Sequence, residues 1–142
     1  MEVSKEFSFE LAHSLGFHNG QCSNLHGHSY KMIVTLRSQH LINGMVMDFT
    51  DIKDIVNRTI IQNYDHACVV NKNSQYEFDK ELIELLKKHN KKLVLVDFYP
   101  TAEEMARHFY NMLDKELNQG IKVKEVILYE TKSSCAKYGE EI

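Results

Sequence analysis

In VSKEFSFELAH, residues 3–13, two kinds of side chain alternate, and this pattern sets the architecture of the first part of the chain. One parity is mainly apolar and carries Phe7, Phe9 and Leu11, whereas the other parity is polar or small. Alternation of this kind predicts a half-buried β-strand, because successive side chains of a strand point to opposite faces. The apolar parity ends in His13, where burial alone would favour Val or Ile.

A second run, HGHSYKMIVTLR at residues 26–37, predicts another strand, and residues 14–25 between the two runs are rich in Gly, Asn and Ser and predict a loop. Residues two apart on a strand share a face, so His26 and His28 point the same way. If the two strands pair as a hairpin, the end of the first lies beside the start of the second. We therefore expect His13 to join these two histidines at one corner of the sheet.

The rest of the chain predicts helices alternating with strands. The expected elements are a helix capped by Asp48 or Thr50, a short helix at residues 79–89, a strand at 92–99, a helix from Pro100-Thr101 to residue 118, and a strand at 121–131. This order predicts an α+β fold with a mainly antiparallel sheet. A chain of 142 residues is long enough for one core, so residues 1–142 are expected to form a single domain.

Composition excludes several classes of function. With 17 basic and 20 acidic residues the net charge is −3, and no basic footprint for nucleic acid or anionic membrane is visible. The absence of a long apolar run or a signal-peptide pattern favours a cytoplasmic protein. The three cysteines are odd in number and widely spaced, so we expect reduced thiols rather than a disulfide framework.

Three converging imidazoles predict a metal site. The nitrogen donors of His13, His26 and His28 suit Zn²⁺, and three protein ligands with an open fourth position are typical of a catalytic site. Cys22 leaves two alternatives open, because it could complete a closed structural site in a binding module or stand beside the metal as a reactive thiol. A hydrolase that uses metal-bound water is a further alternative, as is a set of ordinary core histidines.

Residues 22–28, CSNLHGH, preceded by the strand that ends in Ala12-His13, resemble the CxxxHGH signature of the 6-pyruvoyltetrahydropterin and 6-carboxytetrahydropterin synthase family. The resemblance covers nearly the whole chain, and its further matches are Met47-Asp48-Phe49, Asp65-His66, Pro100-Thr101-Ala102-Glu103 and Glu130-Thr131. It implies the tunnelling fold (T-fold), an antiparallel sheet with helices packed on one face. It also implies a homohexamer with active sites between subunits.

The resemblance further implies a zinc-dependent lyase that acts on 7,8-dihydroneopterin triphosphate. The implied product is 6-carboxy-5,6,7,8-tetrahydropterin, the queuosine precursor, with release of triphosphate and acetaldehyde. The alternative is 6-pyruvoyltetrahydropterin synthesis from the same substrate.

Roles for individual residues follow from the same resemblance. His13, His26 and His28 would bind Zn²⁺, Cys22 would move protons with help from Asp65 and His66, Glu130 would anchor the pterin ring, and Thr101 would be a secondary contact. Simpler roles exist for some of them. Thr101 and Glu104 have the spacing of a capping box, and Asp65-His66 follow a helix and could cap it.

Overall fold

Six strands form one sheet in the order β4-β3-β1-β2-β5-β6 in this computed structural model, which describes residues 1–118 and 120–140. The strands are β1 (Glu2–His13), β2 (His26–Ser38), β3 (Ala67–Asn71), β4 (Leu93–Val96), β5 (Ile121–Tyr129) and β6 (Cys135–Gly139). The helices are α1 (Phe49–Val56), α2 (Gln62–Tyr64), α3 (Glu77–Lys88) and α4 (Ala102–Asp114). A π-helical segment, Asn57–Ile61, joins α1 to α2.

The predicted hairpin is the longest pairing in the sheet. β1 and β2 run antiparallel in a register from Glu2 opposite Arg37 to His13 opposite His26. Phe9 and Leu11 are buried while Ser8 and Glu10 are exposed. The alternation in the sequence therefore corresponds to a core face and an open face of the sheet.

The sheet is mixed. The pairs β1-β2, β2-β5 and β5-β6 are antiparallel, as expected, whereas β1-β3 and β3-β4 are parallel. Consecutive parallel strands require a crossover connection, and α3 provides it between β3 and β4. The helical stretch from α1 to α2 carries the chain from β2 past β1 to β3.

One core lies between the sheet and the helices. Its largest fully buried side chains come from both layers: Tyr30, Met32, Val34, Val69 and Leu128 from strands, and Ile52, Val56, Ile60, Met105, Phe109 and Leu113 from helical segments. Asp48 caps α1, because its Oδ1 accepts a hydrogen bond of 2.8 Å from the Thr50 N–H. None of the helices in the described part of the chain is long and apolar enough to span a bilayer.

Some boundaries differ from the sequence predictions. The strands β3 and β6, each of five residues, were not predicted. α4 ends at Asp114 instead of residue 118, since the chain turns there with the Glu116 N–H bonded to the Leu113 carbonyl. α3 begins at Glu77 rather than at residue 79, and β5 ends at Tyr129.

Candidate functional site

Three histidines meet at the loop end of the hairpin, where β1 ends and β2 begins. His13 pairs with His26, and Leu11 pairs with His28, so all three side chains project from the core face of two adjacent strands. One ligand atom from each histidine lies within 4.8 Å of those of the other two, a spacing that could hold a metal ion. The convergence predicted from the sequence is confirmed.

Two of the rings are oriented by main-chain carbonyl groups. His13 Nδ1 lies 2.7 Å from the Pro100 carbonyl oxygen, and His26 Nδ1 lies 2.7 Å from that of Asn24. A carbonyl can only accept, so both Nδ1 atoms carry the proton and both Nε2 atoms present a lone pair in the neutral rings. These Nε2 atoms lie 3.1 Å apart. Two lone pairs at this distance do not hydrogen-bond to each other, whereas a shared cation satisfies both.

The third histidine, His28, has an unpaired Nε2 atom as well. This atom is buried and has no hydrogen-bond partner among the described residues. An unpaired buried polar atom costs about 1–3 kcal/mol, and a bound metal would remove that cost. Burial lowers the pKa of His13 to about 4, with smaller contributions in the same direction from His26 and His28. His13 is therefore neutral near pH 7, which is the state that binds a metal.

Glu130 lies beside the cluster. It directly follows β5, and its two carboxylate oxygens are 3.9 Å from His13 Nε2 and 4.0 Å from His28 Nε2. Its side chain is 26% exposed, so the carboxylate borders both the histidines and solvent. A group bound in front of the histidines would therefore reach this carboxylate as well.

Cys22 lies on a short 3₁₀ turn, Gln21–Ser23, within the loop that joins β1 to β2. The Leu15 N–H donates to the Cys22 carbonyl at 3.0 Å and the Ser14 hydroxyl to the Ser23 carbonyl at 3.1 Å, which closes the loop on itself. The thiol is partly buried. Among residues 1–118 and 120–140 the candidate metal cluster consists of the three histidines without Cys22.

Asp65 and His66 form a pair at the start of β3. His66 Nδ1 lies 2.9 Å from Asp65 Oδ1, and the same oxygen accepts the Glu10 N–H at 2.9 Å. The Glu10 N–H is the main cause that lowers the pKa of Asp65. With Nδ1 directed at the carboxylate, Nε2 of the 75% exposed His66 side chain remains available.

This pair makes no direct polar contact with the histidine cluster of its own chain. No hydrogen bond or ion pair in the described part of the molecule joins Asp65 or His66 to the three histidines. His66 borders a cavity of about 470 Å³ that His28 also lines, together with Glu10 and Ser29 of the open sheet face. Within one chain the two groups identified from the sequence are therefore neighbours of one cavity without a direct polar contact.

Thr101 is the N-cap of α4, since its Oγ1 accepts the Glu104 N–H at 3.2 Å. The capping role expected from the sequence is thus present, and it places Thr101 directly after the carbonyl that orients His13. Sequence reasoning did not find the two carbonyl groups of Asn24 and Pro100. They are main-chain atoms, and no residue type reveals them.

Comparison with known proteins identifies the family. The family model described as 6-pyruvoyl tetrahydropterin synthase matches residues 2–141. The 6-carboxy-5,6,7,8-tetrahydropterin synthase of Haemophilus influenzae is 38% identical, over 98% of this chain and 99% of that relative. The relative of the same description from Aquifex aeolicus is 35% identical, over 99% of this chain and 98% of its own length. The chain belongs to the 6-pyruvoyl tetrahydropterin synthase family.

Solved structures agree on the fold. An uncharacterized protein from Wolinella succinogenes superimposes with a TM-score of 0.82 at 26% identity, covering 99% of this chain and 98% of the other. A mutant of Plasmodium vivax 6-pyruvoyltetrahydropterin synthase gives a TM-score of 0.73 at 24% identity over 100% of this chain and 98% of its own. The predicted tunnelling fold, with helices packed on one face of the sheet, is confirmed.

Proposed function

We propose that this chain is a zinc-dependent lyase that converts 7,8-dihydroneopterin triphosphate to 6-carboxy-5,6,7,8-tetrahydropterin, releasing triphosphate and acetaldehyde, in queuosine precursor synthesis. We also propose that residues 1–142 act as one domain and that the protein is cytoplasmic. The observation that carries the proposal is the cluster of three histidines beside Glu130 in a member of this family. The names of the relatives support the carboxy product over the pyruvoyl one.

The donor set fits zinc. His13 and His26 present neutral Nε2 atoms fixed from behind by carbonyl groups, and the buried Nε2 of His28 needs a partner. Three nitrogen donors of this kind match catalytic zinc sites, in which a fourth position is left to water or substrate. Zinc bound there would polarise the side-chain oxygens of the substrate and acidify the neighbouring C–H bonds.

Proton transfer is assigned to Cys22, Asp65 and His66. Asp65 holds His66 through Nδ1, so Nε2 is the atom that can accept or deliver a proton. Cys22, on the loop that joins β1 to β2, is assigned as the partner that exchanges a proton with the substrate carbon. Because the Asp65-His66 pair makes no hydrogen bond or ion pair with the cluster of its own chain, we propose that a neighbouring subunit of a homohexamer supplies it.

Glu130 is assigned to pterin binding. One carboxylate can accept two parallel N–H bonds from the amino-pyrimidinone edge of a pterin. Its place 3.9–4.0 Å from two metal-ligand nitrogens would bring the substrate side chain towards the metal. Thr101 is assigned as a secondary contact in addition to its capping role.

Product analysis tests the activity. The metal-loaded protein is incubated with 7,8-dihydroneopterin triphosphate, and the pterin products are identified by mass spectrometry together with an assay for acetaldehyde. We expect 6-carboxytetrahydropterin and an equal amount of acetaldehyde. A pyruvoyl product without acetaldehyde would show the alternative activity, and unchanged substrate would contradict both.

Chelation distinguishes a catalytic metal from a purely structural one. We expect the metal-free protein to lose turnover while it keeps its circular dichroism spectrum, and to regain turnover when zinc is restored. Unfolding upon removal of the metal would instead indicate a zinc-stabilised binding module.

Subunit mixing tests the shared site. Cys22→Ala and His66→Ala are each expected to be inactive, and hexamers reassembled from an equal mixture should regain about a quarter of the wild-type activity, because that share of the sites would receive both intact groups. No recovery in verified mixed hexamers would show that both groups come from the same chain.

A further inference from the structure

We propose that Lys92 is a positioning residue for the Asp65-His66 pair, which it holds through the peptide group between these two residues. The inference rests on the proposed function, in which the pair transfers protons. Lys92 precedes β4 and is anchored there, since its carbonyl oxygen accepts the Cys68 N–H of β3 at 3.0 Å. Its side chain can therefore reach the chain segment that precedes β3.

The Lys92 ammonium group is bonded to the end of a helix. Its Nζ donates to the Gln62 carbonyl at 2.9 Å and to the Asp65 carbonyl at 2.6 Å. The last carbonyl groups of a helix have no partner within it, and a basic side chain is one way to satisfy them. Helix α2 ends at Tyr64, and Asp65 leaves the helix in an extended conformation with ψ 128°. Lys92 thus joins the last helical residues to the first residue beyond them.

The second of these bonds acts on the peptide group shared by Asp65 and His66. Lys92 holds the oxygen of that peptide group at 2.6 Å, and its N–H, which belongs to His66, donates to the Glu10 carbonyl at 2.6 Å. A peptide group is planar, so bonds at both ends fix its orientation. This orientation sets the directions in which the Asp65 and His66 side chains leave the backbone.

The backbone of His66 requires such support. Its φ is +63°, in the left-handed region that residues other than Gly adopt at a cost. A conformation of this kind persists only where surrounding contacts hold it. In this conformation Asp65 Oδ1 receives both the Glu10 N–H and His66 Nδ1. Without the Lys92 bonds the peptide group can rotate, and the contact between carboxylate and imidazole becomes less populated.

Three variants test the proposal. Lys92→Met keeps the length of the side chain without its donors, Lys92→Arg keeps donors, and Lys80→Met removes an exposed lysine of α3 as a control. We measure kcat and KM, and in parallel the tautomer of the His66 ring by nitrogen NMR. The tautomer reports whether Nδ1 still donates to Asp65, which a general loss of stability in a folded protein would not change.

We expect Lys92→Met to lower kcat about 10-fold with less than about a 2-fold change in KM, as misorientation of a proton-transfer pair would do. The share of the Nδ1–H tautomer of His66 should fall as well. Lys92→Arg should restore most of the kcat and most of the Nδ1–H tautomer, and Lys80→Met should match the wild type in both. If Lys92→Met does not fold, Lys92→Gln, which is too short to reach both carbonyls, is measured in the same way.

An unchanged kcat and an unchanged His66 tautomer in a folded Lys92→Met or Lys92→Gln variant would overturn the proposal. A wrong proposed function would give a different result from a wrong role of Lys92. In that case the wild type produces no pterin product, while the His66 tautomer still shifts upon loss of the Lys92 donors and still recovers in Lys92→Arg.

Discussion

His13 Nδ1 and the carbonyl oxygen of Pro100 lie 2.7 Å apart in the buried part of the molecule, although 87 residues separate them in the chain. Because the carbonyl accepts, the bond directs Nε2 of His13 towards His26 and His28. Pro100 immediately precedes Thr101, the N-cap of α4. The start of this helix therefore determines how a strand residue presents its Nε2 atom.

Metal binding should depend on His13. We expect His13→Ala to purify with much less than one zinc ion per chain, because it removes the most buried of the three proposed ligand residues. Zinc is measured by inductively coupled plasma mass spectrometry after dialysis. His40→Ala, a change at an exposed histidine, should retain the wild-type metal content. Full zinc content in His13→Ala would contradict the assignment.

Cys22 should serve in the reaction rather than in metal binding. We expect Cys22→Ala to retain zinc and to lose at least about 10²-fold in kcat, the low end of general acid-base contributions. The matched control is Cys135→Ala, at an exposed thiol on β6. Loss of zinc from Cys22→Ala would support ligation instead, and wild-type turnover would remove the thiol from the mechanism.

Glu130→Gln should weaken substrate binding. The amide keeps the shape of the side chain but replaces one acceptor oxygen by a donor, so one of the two N–H bonds to the pterin is lost. We expect kcat/KM to fall about 10²-fold while zinc content stays near the wild-type value. The exposed Glu103 provides the control substitution Glu103→Gln. Equal kcat/KM for Glu130→Gln and wild type would exclude a role of this carboxylate in pterin binding.

Tyr64 should make the stability of the protein sensitive to alkaline pH. Its side chain is buried, its hydroxyl is 3.0 Å from His108 Nε2, and burial raises its pKa from 10 to about 12. The folded state therefore favours the neutral phenol. The resulting contribution to the free energy of unfolding is complete below pH 10 and is lost as the pH rises from 10 through 12.

The expected loss in the free energy of unfolding is roughly 2–3 kcal/mol for a shift of this size. Tyr64→Phe should lose about 1 kcal/mol near pH 7, through the missing hydrogen bond, and should respond less steeply to alkaline pH. Chemical denaturation of both proteins between pH 8 and 12 measures the difference. Parallel pH dependences for the two proteins would contradict the prediction.

The elements that were predicted correctly are those with a long local pattern. The 12-residue β1 and the 13-residue β2 show clear periodicity. His13 was singled out because it is a polar residue at the end of the apolar positions on one face of β1. The strands β3 and β6 are short, and their sequences, ACVVN and CAKYG, lack the run of four branched aliphatic residues by which the four-residue β4, LVLV, was predicted. Parallel pairing of β3 with β1 depends on a crossover, which local patterns do not encode.

Strand periodicity and a hairpin connection bring His13, His26 and His28 together from nearby positions, so the amino-acid pattern was enough to predict which side chains could form the metal cluster. The orientation of those rings and the groups next to them follow from the folded molecule alone. The Pro100 carbonyl and the Glu130 carboxylate come from distant segments, and their approach depends on the packing of α4 and β5 against the hairpin. That Asp65 and His66 make no hydrogen bond or ion pair with the cluster of their own chain is likewise a property of the folded sheet, because a sequence motif does not specify contacts in space.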